Sequence, residues 1–226
     1  MSKHVAMLMG GWSVEREVSL NSGAGCAAAL ERAGYRVTRV DVQRDIAAVL
    51  ERLRPDVAFN GLHGRFGEDG TIQGMLEIMG IPYTHSGVLA SALAIRKDKA
   101  KMVVAAAGVP VAHGINISRF EAAKRHALEP PYVLKPIDEG SSVGVVIVKK
   151  GRDHPPQEIA RPDWPCGDML LAETFIAGRE LTCAVMDGKS LGVTEIRAAT
   201  GEFYDYDAKY AKGGSIHICP AQILPN

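Results

Sequence analysis

Three stretches of this sequence set ionisable side chains beside glycine, where backbone can approach a ligand closely. Gly10-Gly11-Trp12-Ser13-Val14-Glu15 ends on a carboxylate, and residues 63–70 carry His63, Arg65, Glu68 and Asp69 among three glycines. The third, Lys135-Pro136-Ile137-Asp138-Glu139-Gly140-Ser141-Ser142-Val143-Gly144, puts a lysine ahead of a Gly-Ser turn. Backbone N–H groups of such a turn can fold over phosphate oxygens, with the lysine as counter-charge. Lys97 is a candidate second phosphate cation. Glu173 and Glu180 flank one connection and could accept from an exocyclic amine or ribose hydroxyls. The run Phe203-Tyr204-Asp205-Tyr206-Asp207-Ala208-Lys209-Tyr210 has the composition of a lid rather than of a packed core.

The charge of the first loop discriminates between ligands. Gly23-Ala24-Gly25-Cys26-Ala27-Ala28 matches G-x-G-x-x-A, and Asp41 stands where a ribose-binding acid would be. That dinucleotide fingerprint must form the turn after the first strand, whereas here the turn carries Glu15. A carboxylate about 4 Å from a pyrophosphate costs roughly 4 kcal/mol per unit charge at an effective dielectric of 20; beside an ammonium the same term is attractive. The loop therefore suits an amine-bearing ligand better, and a dinucleotide-binding module is the weaker alternative. Gly188-Lys189-Ser190 is read as a hairpin turn, not a phosphate loop.

These groups need elements to carry them. Residues 4–9, 35–42, 56–60 and 81–84 read as strands. Between them lie a small-residue helix ending near Gly34, capped at its start by Ser13, and two helical stripes: Ile46, Val49, Leu50, Leu53, then Ile72, Met75, Leu76, Met79. Strand–helix alternation implies a parallel sheet wound on both faces, whose carboxyl edge carries the first two loops. A helix follows over 97–107, and Ser118 with Glu121 forms a capping box for a helix through Ala127. The grammar then changes to antiparallel: strands over 132–136 and 145–150, an irregular 151–167, and strands over 169–176, 181–186, 191–197 and 216–219. Asp187-Gly188 is a favoured two-residue hairpin turn.

The balance of 26 Lys+Arg against 26 Asp+Glu leaves no net charge for a nucleic-acid groove or polybasic membrane patch. No apolar run is long enough to span a bilayer. Cys26, Cys166, Cys183 and Cys219 are far apart and lack any C-x-x-C pair. They are read as reduced, mostly buried thiols of a cytoplasmic protein.

Taken in order, Gly-Gly-x-Ser-x-Glu-x-x-Val-Ser (10–19), Leu-His-Gly-Arg-x-Gly-Glu-Asp-Gly (62–70), Gln-Gly-Met-Leu-Glu (73–77), the 135–144 run and Phe-Tyr-Asp-Tyr-x-Ala-Lys-Tyr (203–210) form a specific set. Together they resemble the D-alanine–D-alanine ligases of the ATP-grasp superfamily, over almost the whole chain. The resemblance implies an N-terminal doubly wound parallel α/β domain (1–96) followed by α+β ATP-grasp domains, a central one (97–179) and the start of a C-terminal one (180–226). It implies ATP-dependent joining of two D-alanines through an acyl phosphate, for peptidoglycan, with D-alanine and ATP as partners and a homodimer.

By resemblance, Glu15 anchors the first substrate's ammonium, with Ser141 and Tyr210 as its hydrogen-bonding partners, and His63 and Glu68 contact that substrate. Lys97, Lys135, Gly140 and Ser142 serve the phosphates. Glu173 lies at the adenine connection, Glu180 accepts from ribose, and Lys209 rides the lid. Tyr210 favours an amine acceptor over D-lactate; a sister ATP-grasp ligase with D-lactate or another amino acid as acceptor is the alternative. The sequence departs from the family pattern at Ile95, Arg96 and Thr174, and in a short 151–167 segment. Relatives also continue past residue 226, into the part expected to hold two magnesium (or manganese) ions. No metal ligand is therefore assigned here, the last domain is expected to be incomplete, and the 226-residue chain alone is expected to be inactive.

Overall fold

The protein is described by a computed structural model over residues 2–199, 209 and 213–223. These gather into two compact units. The first runs up to Val111 and adds Ile137–Gly140; the second takes Ala112–Pro136 and the described residues from Ser141 onward.

In the first unit β1 (His4–Met9) is the centre of a parallel sheet, between β2 (Arg36–Asp41) and β3 (Val57–Asn60). Every residue of β1 is buried, as a strand covered on both faces requires. Its side chains alternate accordingly. Ala6 and Leu8 pack with Val40, Leu50, Leu62, Ile72 and Leu76, while Met7 and Met9 pack with Ala27. Each fully buried leucine in that set contributes about 1.5–3 kcal/mol. α1 (Arg16–Arg32) covers the methionine face, coming so close that a Cβ on Gly23 would stand 2.6 Å from Met9 Cβ. Gly23 thus serves helix–strand packing inside α1, and the G-x-G-x-x-A pattern is no nucleotide turn. Asp41, the other half of that alternative, is held by Arg16 through bonds of 2.8 and 2.6 Å.

The two predicted stripes form α2 (Ile46–Leu53) and α3 (Thr71–Ile78). α2 stops at Arg54, the residue before Pro55, where right-handed helical backbone is disfavoured. The fourth strand is reduced to a single parallel bridge, Ala58 to Tyr83. α4 (Val88–Ile95), which the sequence reading lacked, precedes α5 (Lys97–Ala106). Its apolar residues follow no helical period, so no stripe announces it.

In the second unit an antiparallel sheet has the order β4 (Gly114–Ser118), β7 (Met169–Thr174), β5 (Tyr132–Pro136), β6 (Val146–Val148). Tyr132, Leu134, Val148, Leu170 and Ala172 form its core with Ile159, from a 3₁₀ turn (Gln157–Ala160) inside the stretch read as irregular. β4 was not anticipated, and the helix expected through Ala127 is only α6 (Arg119–Ala122). Ser118 makes its half of the capping box, accepting from Phe120 N–H at 3.3 Å; Glu121 pairs forward with Lys124 and Arg125. A second antiparallel sheet holds β8 (Glu180–Met186), β9 (Lys189–Ala198) and β10 (Ser215–Ile218). Asp187 and Gly188, at φ 50° and 71°, make the hairpin turn between β8 and β9. No disulfide joins the four cysteines, and Cys183 and Cys219 are exposed rather than buried. No helix among the described residues is long and apolar enough to cross a membrane.

Candidate active site

Glu15 immediately precedes α1 and is 2% exposed. Ser13 is not the helix cap expected of it. Its hydroxyl accepts from Glu15 N–H at 3.2 Å and donates to the His63 carbonyl at 2.8 Å, tying the two loops together. Two glycines from distant parts of the chain wall in the Glu15 carboxylate. A Cβ built on Gly64 would lie 2.6 Å from Oε2, and one on Gly140 2.9 Å from the same atom. Gly64 is also at φ 67°, which favours glycine. Sequence groups Gly140 with the phosphate turn; in the structure this glycine also stands against the first-loop carboxylate.

The His63 ring lies 3.0 Å from Ser22 Oγ through Nε2, and Nδ1 lies 3.7 Å from Glu68 Oε1. Hydrogen bonding to Glu68 raises the His63 pKa against the opposing effect of burial, and the charges of Glu68 and Glu15 raise it further. Burial alone would push Glu68 up, but His63, the Gly64 N–H and the charges of His63 and His85 hold it below its ordinary value. Gly64 N–H donates to Glu68 Oε2 at 2.7 Å. The pair is therefore biased toward imidazolium and carboxylate.

Lys97 opens α5, its N–H donating to the Ile137 carbonyl at 2.8 Å and its ammonium to the Glu139 carbonyl. The Glu139 carboxyl is raised by burial and by Asp138 and Glu15, against the pull of Lys97 and Arg65. Asn60, at the end of β3, is the polar residue that sequence reasoning missed. Its Nδ2 donates to the Gly67 carbonyl at 2.8 Å and its Oδ1 accepts from Leu62 N–H at 3.1 Å, closing the 62–67 turn. Only its place at a strand's carboxyl end could have marked it. An apolar pocket lined by Trp12, Leu62, Phe66, Ile72 and Met75 shares Ser13 and His63 with this site.

In the second unit Lys135 of β5 forms an ion pair with Glu173 of β7. The register explains it: Lys135 faces Leu171 and Glu173 faces Val133, so the two are diagonal neighbours across the ladder. Past β5, Ser141 and Ser142 both hold left-handed backbone, at φ 48° and 61°. A Cβ on Gly144 would stand 2.9 Å from both Cys166 Sγ and Pro136 Cγ, so glycine lets this turn fold down. Glu180 opens β8; burial raises its pKa and the charge of Lys209 opposes the rise. Tyr210 and residues 203–208 lie outside the described residues.

Residues 103–226 match the family described as D-ala D-ala ligase C-terminus, and residues 46–86 the one described as D-ala D-ala ligase N-terminus. The chain belongs to the D-alanine–D-alanine ligase family. A D-alanine–D-alanine ligase of Methylocella silvestris is 68% identical over 223 residues, which are 99% of this chain and 73% of that relative. A crystal structure of a D-alanine–D-alanine ligase from Bacillus anthracis superposes with a TM-score of 0.77 at 32% identity, covering 99% of this chain and 73% of the other. A D-alanine–D-alanine ligase from Bacillus anthracis complexed with ATP gives 0.75 at 27% identity, covering 99% of this chain and 72% of the other. The fold of this ligase family, α/β at the N-terminus and α+β after it, is the one described above.

Proposed function

We propose that the protein joins two D-alanines to D-alanyl-D-alanine at the expense of ATP, a step of peptidoglycan synthesis. A carboxylate oxygen of the first D-alanine attacks the γ-phosphorus, the bond to the β–γ bridging oxygen breaks, and ADP leaves an acyl phosphate. The amine of the second D-alanine attacks the acyl carbon. Phosphate departs from the tetrahedral intermediate, and the nitrogen gives up a proton.

The observation that carries this reading is Glu15: a carboxylate 2% exposed, enclosed by the main chain of Gly64 and Gly140. In so dry a setting it attracts an ammonium far more strongly than in water. In our reading Glu15 anchors the first substrate's ammonium with Ser141 and Tyr210, and His63 with Glu68 receives its carboxylate; the imidazolium bias of that pair supports this. Gly140 belongs to the same wall. Lys97, Lys135, Gly140, Ser142 and Lys209 address the phosphates of ATP, with Glu173 at adenine and Glu180 at ribose. The ion pair of Lys135 with Glu173 supports placing both on one nucleotide. The corresponding modules are 1–96 for substrate, 97–179 for the central ATP-grasp part and 180–226 for the start of the last.

Among the described residues no group of three or more His, Cys, Asp or Glu side chains is placed to hold a metal. The magnesium that accompanies ATP in this reading is given no ligand here, and no step runs through it. We further read the protein as cytoplasmic, and as a homodimer through the first unit. There α4 and α5 leave Leu89, Met102, Val103 and Val104 exposed, an apolar surface that a second copy would cover.

The test is phosphate release from Mg-ATP by protein made from the complete gene, its mass verified. Release with D-alanine but with neither L-alanine nor D-lactate is the expected result. No release from protein that binds ATP would sink the substrate assignment and favour another acceptor.

A further inference from the structure

His85 follows the residues that bridge to β3 and holds φ 103°, a backbone region that L side chains rarely adopt. A glycine would sit there without strain. What the imidazole does in return is visible in its contacts. His85 Nδ1 lies 3.3 Å from Asn60 Nδ2. The Asn60 amide cannot be turned round, because Oδ1 accepts from Leu62 N–H and Nδ2 donates to the Gly67 carbonyl. The group facing His85 is thus a donor, so Nδ1 must accept and the neutral ring carries its proton on Nε2. Asn60 is 2% exposed, and its second N–H has this imidazole as its partner. The same ring also acts on the next residue of the loop. The titratable groups facing Glu68 are His63 and His85, with Glu15 in turn facing His63.

We propose that His85 is a positioning residue for the first-substrate pocket: through Asn60 it fixes the 62–67 turn, and with it the Glu68 carboxylate that holds the Gly64 N–H and His63. The strain at residue 85 is then the counterpart of order at residues 62–68, as strained backbone near functional sites often is. The inference rests on reading His63 and Glu68 as first-substrate groups. Its test, however, also has a readout independent of any ligand.

The Gly64 amide reports the Glu68 contact directly by hydrogen exchange, and H85G removes the imidazole while relieving the strained φ. H85G is expected to melt no lower than the parent protein, yet Gly64 should exchange about tenfold faster. Its D-alanine Kd should rise about fivefold, the effect of one lost hydrogen bond, with ATP binding unchanged. H85N tolerates positive φ, and its carbonyl can accept from Asn60; it should restore both readouts to within about twofold. A merely structural histidine would not give a protein of undiminished stability with a loosened Gly64. If H85G leaves Gly64 exchange and D-alanine affinity unchanged, or H85N matches H85G in both, the proposal is wrong. If the parent protein does not bind D-alanine, the functional reading fails, while Gly64 exchange still decides the role of His85.

Discussion

The Gly140→Ala variant separates two roles for one glycine. Its added Cβ would stand 2.9 Å from Glu15 Oε2, 3.4 Å from Oε1 and 3.5 Å from Cδ, and meet nothing else as closely. Gly140 is not among the glycines at positive φ, so the backbone itself imposes no penalty. The carboxylate must retreat by about 0.5 Å to regain ordinary contact distance. Because Glu15 is only 2% exposed, that retreat disturbs its packing and costs about 1 kcal/mol of stability. The larger effect falls on the ligand. A hydrogen bond between charged partners contributes about 1.5–3 kcal/mol, and misplacing one partner forfeits about half. The D-alanine Kd should therefore rise about three- to tenfold. Calorimetric titration with D-alanine and, separately, with an ATP analogue reads both sites. Gly25→Ala, in α1 with nothing within 4 Å of the new methyl, is the control and should gain about 0.5–1 kcal/mol. Weakened ATP binding with D-alanine affinity intact would refute the wall around Glu15 and return Gly140 to the phosphate turn.

Other outcomes follow from the charged pairs. With Glu68→Gln, the His63 pKa should fall back toward 6.5, observable by NMR titration; an unmoved His63 would dissolve the pair. In the parent protein the stability that His63 contributes is present below pH 6.5 and lost as pH rises through its raised folded value. Lys135→Met should cost about 2 kcal/mol, because the partly buried Glu173 loses its counter-charge, and Lys135→Met with Glu173→Gln should recover part of that in denaturant melts. ATP affinity should drop in both. Glu195, clamped by Arg179 and Arg197 at 2.5 and 2.8 Å, has its pKa lowered from 4.5 to about 2. Its contribution is complete above pH 4.5 and drains as pH falls toward 2, so Glu195→Gln should flatten acid unfolding over that window. An acid-unfolding curve unchanged by the substitution would show that the clamp is idle.

The parts of this fold legible in sequence were those with a period or a punctuation mark. The stripe Ile46, Val49, Leu50, Leu53 and the stop at Pro55 yield α2 because helix geometry allows little else. Asp187-Gly188 yields the β8–β9 turn because few residue pairs accept two positive φ values. α4 was illegible because Val88, Leu89, Ala90, Leu93 and Ile95 leave no polar face to set a phase. β4 alternates Ile115 and Ile117 with Gly114, Asn116 and Ser118, but two apolar residues in a five-residue run after a Gly- and Pro-bearing stretch are too short a signal; its partner β7 decides it. At the site, the types and spacing of Glu15, His63, Glu68 and Lys135 announced charge chemistry. The wall around Glu15 did not, since Gly140 reaches it only through the tertiary fold. Asn60 and His85 were equally silent, because a buried amide and a strained imidazole declare themselves only by their partners.

Translation adds a constraint of its own. The first unit is not finished when Val111 is made, because it also owns Ile137–Gly140. The Lys97 ammonium finds its Glu139 carbonyl 42 residues later in the chain. At typical synthesis rates the ribosome takes roughly 2–8 s to cover that distance. During this interval the parallel sheet can already be assembled, while the start of α5 lacks its Ile137 acceptor and Glu15 lacks one of its two walls. A nascent chain stalled before residue 137 would thus carry a folded sheet with an unfinished wall around Glu15. The wall around Glu15 closes only if the polypeptide returns to a unit it had already left.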